Sequence, residues 1–165
     1  YRACNFIKEQ VKNGNQAYIV CPLVTEGETD LASAEEYAAE LMLKEFSDIA
    51  VGVLHGKMKS SEKEQVMSAF EKGDISVLVS TTVIEVGVNN PNASVIVIQN
   101  AERFGLSQLH QLRGRVGRGT DKSFCFLYSK TEFSSTLKSS GKSIKILNPT
   151  AVYLSLSKIL YGCNR

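Results

Sequence analysis

The sequence predicts an α/β fold with a mostly parallel central sheet and helices on both faces. Three observations predict it. Five short apolar runs are continuous rather than alternating, the pattern of strands covered on both sides. Segments with helical spacing separate most of them, which implies right-handed crossovers between parallel strands. Polar clusters stand where those runs end, at His55-Gly56-Lys57, Ser80-Thr81-Thr82 and Gln99-Asn100. In open sheets of this kind, ligands gather beyond the carboxyl ends of the strands.

Taken in order, residues 3–13 place Cys4, Ile7 and Val11 on one helical face, and Gly14 ends the segment. AYIVCPLV (17–24) is the first strand and TEGETD a loop. Asp30 caps a helix from Leu31 to about Phe46, with Leu31, Ala34, Ala38, Leu41 and Met42 as its inner stripe. AVGVLHG (50–56) is the second strand. Ser61 with Glu64 forms a capping box for a helix running to about Lys72. Gly73-Asp74 turns into strand ISVLVST (75–81). TVIEVGVNNPNA (82–93) reads as a short helical turn and loop ahead of strand SVIVIQ (94–99). Ser107 caps the following helix, and SFCFLYS (123–129) is the last strand. Farther on, Asn148 as cap, Pro149 at the first position and Gly162 as terminator outline one more helix.

The chain's 165 residues are enough for one domain with a real core. Its apolar runs fall far short of the roughly 20 residues that span a bilayer, and its amino terminus is amphipathic rather than signal-like. The expected setting is cytoplasmic, with no membrane partner. Cys4, Cys21, Cys125 and Cys163 are scattered and form no CxxC pair, so they read as thiols rather than as a metal site, and no metal ligands are expected.

A net charge of +2 conceals an asymmetry. Residues 1–102 hold 8 Lys/Arg against 15 Asp/Glu, or −7, whereas residues 103–165 hold 11 against 2, or +9. A basic half of this kind points to a polyanion such as nucleotide phosphate or a nucleic acid backbone. Its densest part is SQLHQLRGRVGRG (107–119). Wound as a helix, Leu109, Leu112 and Val116 share one side, while Gln111, Arg115 and Arg118 share the other at i, i+4, i+7. Arg113 falls nearer the apolar side and reads as scaffold. Gly114 and Gly117 each cost a helix about 1 kcal/mol relative to alanine. Accepting that cost beside arginines implies that backbone or a ligand comes close.

The familiar phosphate-binding signatures fail. Gly141-Lys142-Ser143 ends like a P-loop, but Thr136 occupies the first glycine position and no strand precedes it. Gly114, Gly117 and Gly119 are spaced three then two apart, the reverse of a dinucleotide fingerprint. No GxSxG occurs, and His55 and His110 lack the carboxylate spacing of a triad or metal site. The arginines therefore suit a phosphate bound on another domain, since an arginine finger can act in trans.

QLHQLRGRVGRG (108–119) resembles motif VI of superfamily 2 helicases, and STTVIEVGVNNPNAS (80–94) resembles their motif V. VLHGKM (53–58) and AYIVCPLV (17–24) are similar to the segments called IVa and IV. The wording of AERFGLSQLHQLRGRVGRG (101–119) is nearest the RecG group of branched-DNA helicases. The resemblance covers about residues 1–130. It implies the second RecA-like motor domain, a three-layer domain, of an ATP-dependent enzyme acting on branched or forked DNA in recombination and repair. The implied partners are DNA and the first motor and wedge domains of the same protein. The implied cofactors are ATP and Mg2+, held mainly by that first domain, so this chain alone is expected to be inert.

Carried over residue by residue, the catalytic set is Arg115, Arg118 and Gln111, with the arginines matching transition-state phosphate. Gly87, Asn89 and Glu85 are implied at the nucleotide. Thr81 and Thr82, with His55, Gly56 and Lys57, are implied on the DNA backbone. Asn89 stands where the family usually has Asp, so it brings a hydrogen bond but no charge. GKSIKILNPT (141–150) still resembles RecG, but VYLSLSKILYGCNR (152–165) does not. Residues 131–165 are therefore expected to be a divergent, truncated extension. Two other readings share this pattern: the equivalent domain of a transcription-repair coupling factor, and a non-catalytic nucleic-acid-binding fragment.

Overall fold

The computed structural model of the chain describes residues 2–22, 30–81, 90–117, 122–128, 145–148 and 151–156, with side chains described in all of these but 2, 30–35, 106, 145–148 and 151–156. The elements are α1 (Arg2–Lys12), β1 (Gln16–Val20), α2 (Asp30–Lys44), β2 (Val51–Leu54), α3 (Ser60–Lys72), β3 (Val77–Ser80), β4 (Ala93–Ile98), α4 (Leu106–Arg113), β5 (Ser123–Tyr128), β6 (Lys145–Asn148) and β7 (Ala151–Leu156). A 3₁₀ turn, Ala101–Arg103, links β4 to α4.

One sheet holds every strand in the order β2-β3-β1-β4-β5-β7-β6. The pairs β2–β3, β3–β1, β1–β4 and β4–β5 are parallel. The five parallel strands are the expected ones, and β1, β3 and β4 are buried along their whole length, as continuous apolar runs require. Alternation along the strands feeds two cores. Tyr18, Val20, Leu78, Ile96, Ile98, Cys125 and Leu127 pack toward α3 and α4 around Phe70, Leu112 and Val116. Ala17, Ile19, Val77, Val79, Val95 and Val97 pack toward α1 and α2 around Ile7, Ala38, Leu41 and Phe46. Phe6 of α1 adds edge-on contacts to Phe124 and Phe126, with ring centroids 4.7 and 5.4 Å away.

Several local expectations shift. Both predicted serine caps give way to side chains at the third helical position. Glu62 accepts the Lys59 N–H at 3.1 Å, and Gln108 accepts the Gly105 N–H at 3.0 Å. A side chain reaching back from there satisfies a helix-start donor, so α3 begins at Ser60 and α4 at Leu106, each one residue before the expected serine cap. Met42, expected in the α2 stripe, is 43% exposed. Ala38 and Leu41 suffice there, because α2 covers the short strands β2 and β3 near the sheet edge. Gly73 closes α3 with a left-handed φ of 88°, as the Gly-Asp turn requires.

The helix expected from Asn148 is also corrected. Residues 145–148 and 151–156 form two strands, and β7 pairs antiparallel with β5 from Ser123↔Leu156 to Tyr128↔Ala151. The stretch AVYLSL alternates Val152, Leu154 and Leu156, a period of two that suits a strand lying beside β5. The helical turn expected within 82–93 falls on residues 82–89, which lie outside the described residues.

A polar knot ties the amino-terminal edge of the sheet together. Gln16 Nε2 donates to the Phe70 and Ile75 carbonyls, both at 2.6 Å, and Gln16 Oε1 accepts from Asn90 Nδ2 at 2.9 Å. Asn90 Oδ1 accepts the Asn92 N–H at 2.9 Å, and Asn92 O accepts the Gln16 N–H at 2.9 Å. Gln16 and Asn90 are 4% and 2% exposed, so each bond replaces water that cannot enter.

Candidate functional site

The site is set by the carboxyl ends of the strands and by α4. After β2 the chain turns at His55-Gly56-Lys57. His55 is 8% exposed and its N–H points at Met58 Sδ, 3.4 Å away. Lys63 Nζ donates to the Gly56 carbonyl at 2.9 Å, which draws this turn onto α3 and leaves Lys57 exposed. Thr81 ends the neighbouring strand, and its N–H donates to Leu54 O at 3.1 Å, so the two strand ends lie side by side. Thr81 is 1% exposed, and its Oγ1 has no hydrogen-bond partner among the described residues. A buried hydroxyl of that kind, next to an exposed lysine, is equipped to donate to an incoming phosphate oxygen.

Farther along the sheet, on the same face as α3, α4 and the turn after it seat Leu112 and Val116 in the core at 8% and 5% exposure. Gln111 is exposed on its last turn and Arg113 is half-buried. The helix ends at Arg113, two residues before Arg115 and five before Arg118, through which the helical wheel assumed it to run. Arg115 therefore lies in a tight turn, its N–H donating to Leu112 O at 3.0 Å, and stands half-buried one step past the helix. Breaking the helix there moves Arg115 off the α4 axis while Val116 still anchors the turn. The two glycines differ. Gly114 keeps a right-handed φ of −69°, whereas Gly117 has a φ of 86°. A Cβ on Gly117 would also overlap Ser123 Oγ at the start of β5. The close approach expected of these glycines is thus a protein contact at Gly117.

This gives a test of the turn. Gly117→Ala is expected to lower stability by about 1–3 kcal/mol, the cost of forcing a non-glycine residue into this region. Adding Ser123→Ala should recover the overlap part and leave the backbone part. A thermal melt in which Gly117→Ala matches the parent would overturn the assignment.

Arg118 lies outside the described residues, as do Thr82, Glu85, Gly87 and Asn89. Among the predicted site residues that are described, His55, Gly56, Lys57 and Thr81 come together on adjacent strand ends, and Gln111 and Arg115 come together at the end of α4. The donors on α4 are cationic and amide, which fits polyphosphate oxygens. No group of three or more His, Cys, Asp or Glu able to hold a metal occurs among the described residues. The described donors, Gln111 and Arg115, fit the phosphate end of a nucleotide. Burial pushes the Cys21 and Cys125 thiols up to about 12, so neither is primed as a nucleophile.

Sequence reasoning missed the Gln16–Asn90 knot, the Ser123 contact beneath Gly117, and a hydrogen bond from Gln99 Nε2 to Tyr37 Oη at 2.8 Å. The sequence signal for the last was only that Gln99-Asn100 stands at a strand end; the structure adds a left-handed φ of 48° at Asn100, uncommon without glycine.

Comparison with known proteins places these features in a family. Residues 2–120 match the helicase conserved C-terminal domain. The chain is 51% identical over 140 residues to the ATP-dependent DNA helicase RecG of Pasteurella multocida, covering 85% of this chain and 20% of that protein. It is 52% identical over 132 residues to the RecG of Bacillus subtilis, covering 76% and 19%. The structure of a RecG bound to a three-way DNA junction superposes with a TM-score of 0.68 at 43% identity, over 83% of this chain and 17% of that one. The chain thus spans about one fifth of the length of the curated relatives it matches. No helix among the described residues is long and apolar enough to cross a membrane. The five parallel strands with helices on both faces match helicase C-terminal domains, and the chain belongs to the helicase conserved C-terminal domain family.

Proposed function

We propose that residues 1–130 work as the second motor domain of a RecG-type, ATP-dependent DNA helicase acting on branched DNA in the cytoplasm. Residues 131–165 form a divergent extension. The single observation that carries the reading is Arg115, held in a tight turn beyond α4, in a chain with no P-loop of its own. Bound ATP with Mg2+ would supply the hydrolysable phosphoanhydride, with both held chiefly by a first motor domain.

In this reading Gln111, Arg115 and Arg118 face that phosphate across a cleft. Guanidinium groups stay charged at every working pH and match the equatorial oxygens of a loose phosphoryl transition state. Gly87, Asn89 and Glu85 complete the nucleotide side. Thr81 and Thr82, with His55, Gly56 and Lys57, hold the DNA backbone without reading its sequence. The sheet links the two sites, since β3 ends at Thr81 while α4 packs against β4 and β5 from one face.

Incubated with ATP, Mg2+ and forked DNA, this chain by itself is expected to show no DNA-stimulated hydrolysis. Joined to a first motor domain it should gain that activity. Phosphate release from the chain alone, dependent on DNA and lost in Arg115→Ala, would overturn the division of labour.

A further inference from the structure

A cavity of about 320 Å³ lies between α1, α2 and the sheet, on the face opposite Arg115. Its floor is Ile19 and Val97, and its rim carries Cys4, Tyr37, Glu40, Gln99 and Tyr128. None of these residues belongs to the motor site described above. Its position is distinctive. From β1 the chain leaves to α2 on one face, and from β4 it leaves to α4 on the other, so the strands β1 and β4 diverge at a topological switch point. Ligands in open α/β sheets bind in that crevice. The volume is at the small end of ligand pockets, and the lining is largely apolar with a few convergent polar groups.

The chemistry narrows the ligand. Gln99 Nε2 is committed to Tyr37 Oη at 2.8 Å, which orients the carboxamide and presents its oxygen as an acceptor. Asn100, with φ 48° and ψ 51°, fixes the chain direction just past Gln99. The charged groups at the rim are already paired: Lys44 with Glu40 at 2.6 Å, and Lys8 with Glu45 at 3.2 Å. Among the described lining residues, no cation besides Lys44 stands by to hold a phosphate. Two phenol rings and an oriented amide oxygen instead suit a flat, uncharged heteroaromatic ring with an exocyclic amine.

We propose that this switch-point cavity binds a nucleobase of the amino-bearing kind, adenine or cytosine. Such a base could arrive as a free nucleoside or as an unstacked base of a DNA strand. The strand route rests on the motor reading: Thr81 ends β3, immediately beside β1, so a backbone lying on Thr81 passes the cavity within about two inter-strand spacings of roughly 4.8 Å. The nucleoside route is independent of it.

The test uses this chain, isotope-labelled, with adenosine, cytidine, thymidine and a short oligo-dA as probes. Adenosine and cytidine are expected to shift the Gln99 side-chain amide and the Tyr37 and Tyr128 ring signals saturably, with Kd of about 1 mM or tighter. Thymidine, which lacks the amine, should bind several-fold more weakly. Gln99→Leu should weaken adenosine binding about tenfold, with amide spectra confirming the fold. As a second readout needing no variant, adenosine should slow alkylation of the Cys4 peptide while leaving buried Cys125 unaffected. If oligo-dA shifts the same signals together with Lys57, a strand is the source; if only nucleosides do, the ligand is free. No saturable shift at Gln99 and Tyr37, or equal shifts from thymidine and adenosine, would overturn the proposal. Loss of ATPase in the joined enzyme with nucleoside binding retained would instead count against the motor reading alone.

Discussion

In a complete enzyme built around this chain, Arg115→Lys is expected to lower ATP turnover by about 10³-fold while leaving ATP affinity within a few-fold. The charge is preserved, so a loss of this size isolates geometry. Lysine carries a point charge on a flexible stem, whereas the guanidinium is a planar fork that meets two oxygens at once. The turn after α4 holds that fork on a short lever, because Val116 is 5% exposed and clamps the next residue into the core. Single-turnover hydrolysis and ATP binding, measured side by side, decide the matter. Turnover near the parent value would remove Arg115 from the phosphate and leave it a surface group like Arg103.

The second large effect concerns stability. Gln16→Leu should lower unfolding free energy by about 3 kcal/mol, since it removes three side-chain hydrogen bonds at once and leaves Asn90 Nδ2 only a 3.4 Å approach to the Phe70 carbonyl. For a chain of this size that corresponds to a Tm lower by roughly 6–12 °C. Leucine nearly matches the volume of glutamine, so the change tests hydrogen bonding rather than cavity formation. Asn90→Leu, added to it, should cost less than it does alone, because the two residues share one network. A melt shifted by under about 1 °C, against that expectation, would show that the knot contributes nothing net.

The contrast between Gln16 and its neighbours shows what can be read from sequence. Tyr18, Ile19 and Val20 announce a buried strand by composition, because every one must leave water and the sheet offers cover on both sides. Gln16 gives no such signal, since a lone glutamine is usually solvated and its partners sit 54 and 74 residues away at Phe70 and Asn90. The same distinction divides the candidate site. Arg115 was legible from residue type, as clustered arginines beside glycines have few structural uses. Its placement was not, because a helical wheel assumes a helix through 118 and the chain leaves it at Arg113. Thr81 was legible as a strand end, but its buried hydroxyl depends on how β2 and β3 close around it. Met42 failed for a related reason: periodicity marks a face but does not state how wide a stripe the neighbouring sheet can cover. The extension at 151–156 was misjudged because Asn-Pro is a good helix opener and an equally good turn, and only pairing with β5 decides between them.

That last pairing bears on how the protein can be handled. Strand β5 has β4 on one side and β7 on the other, so its backbone groups are satisfied in both directions. A shorter version ending near residue 130 would keep the candidate site residues but leave the backbone N–H and C=O groups on the far side of SFCFLY unpaired. Such a margin invites a second copy to add on by main-chain hydrogen bonding, and copies joined in that way can continue without end. Strand β7 thus covers the long apolar β5 and passes the edge to the four-residue β6, and trimming both for convenience should favour precipitation over a well-behaved monomer.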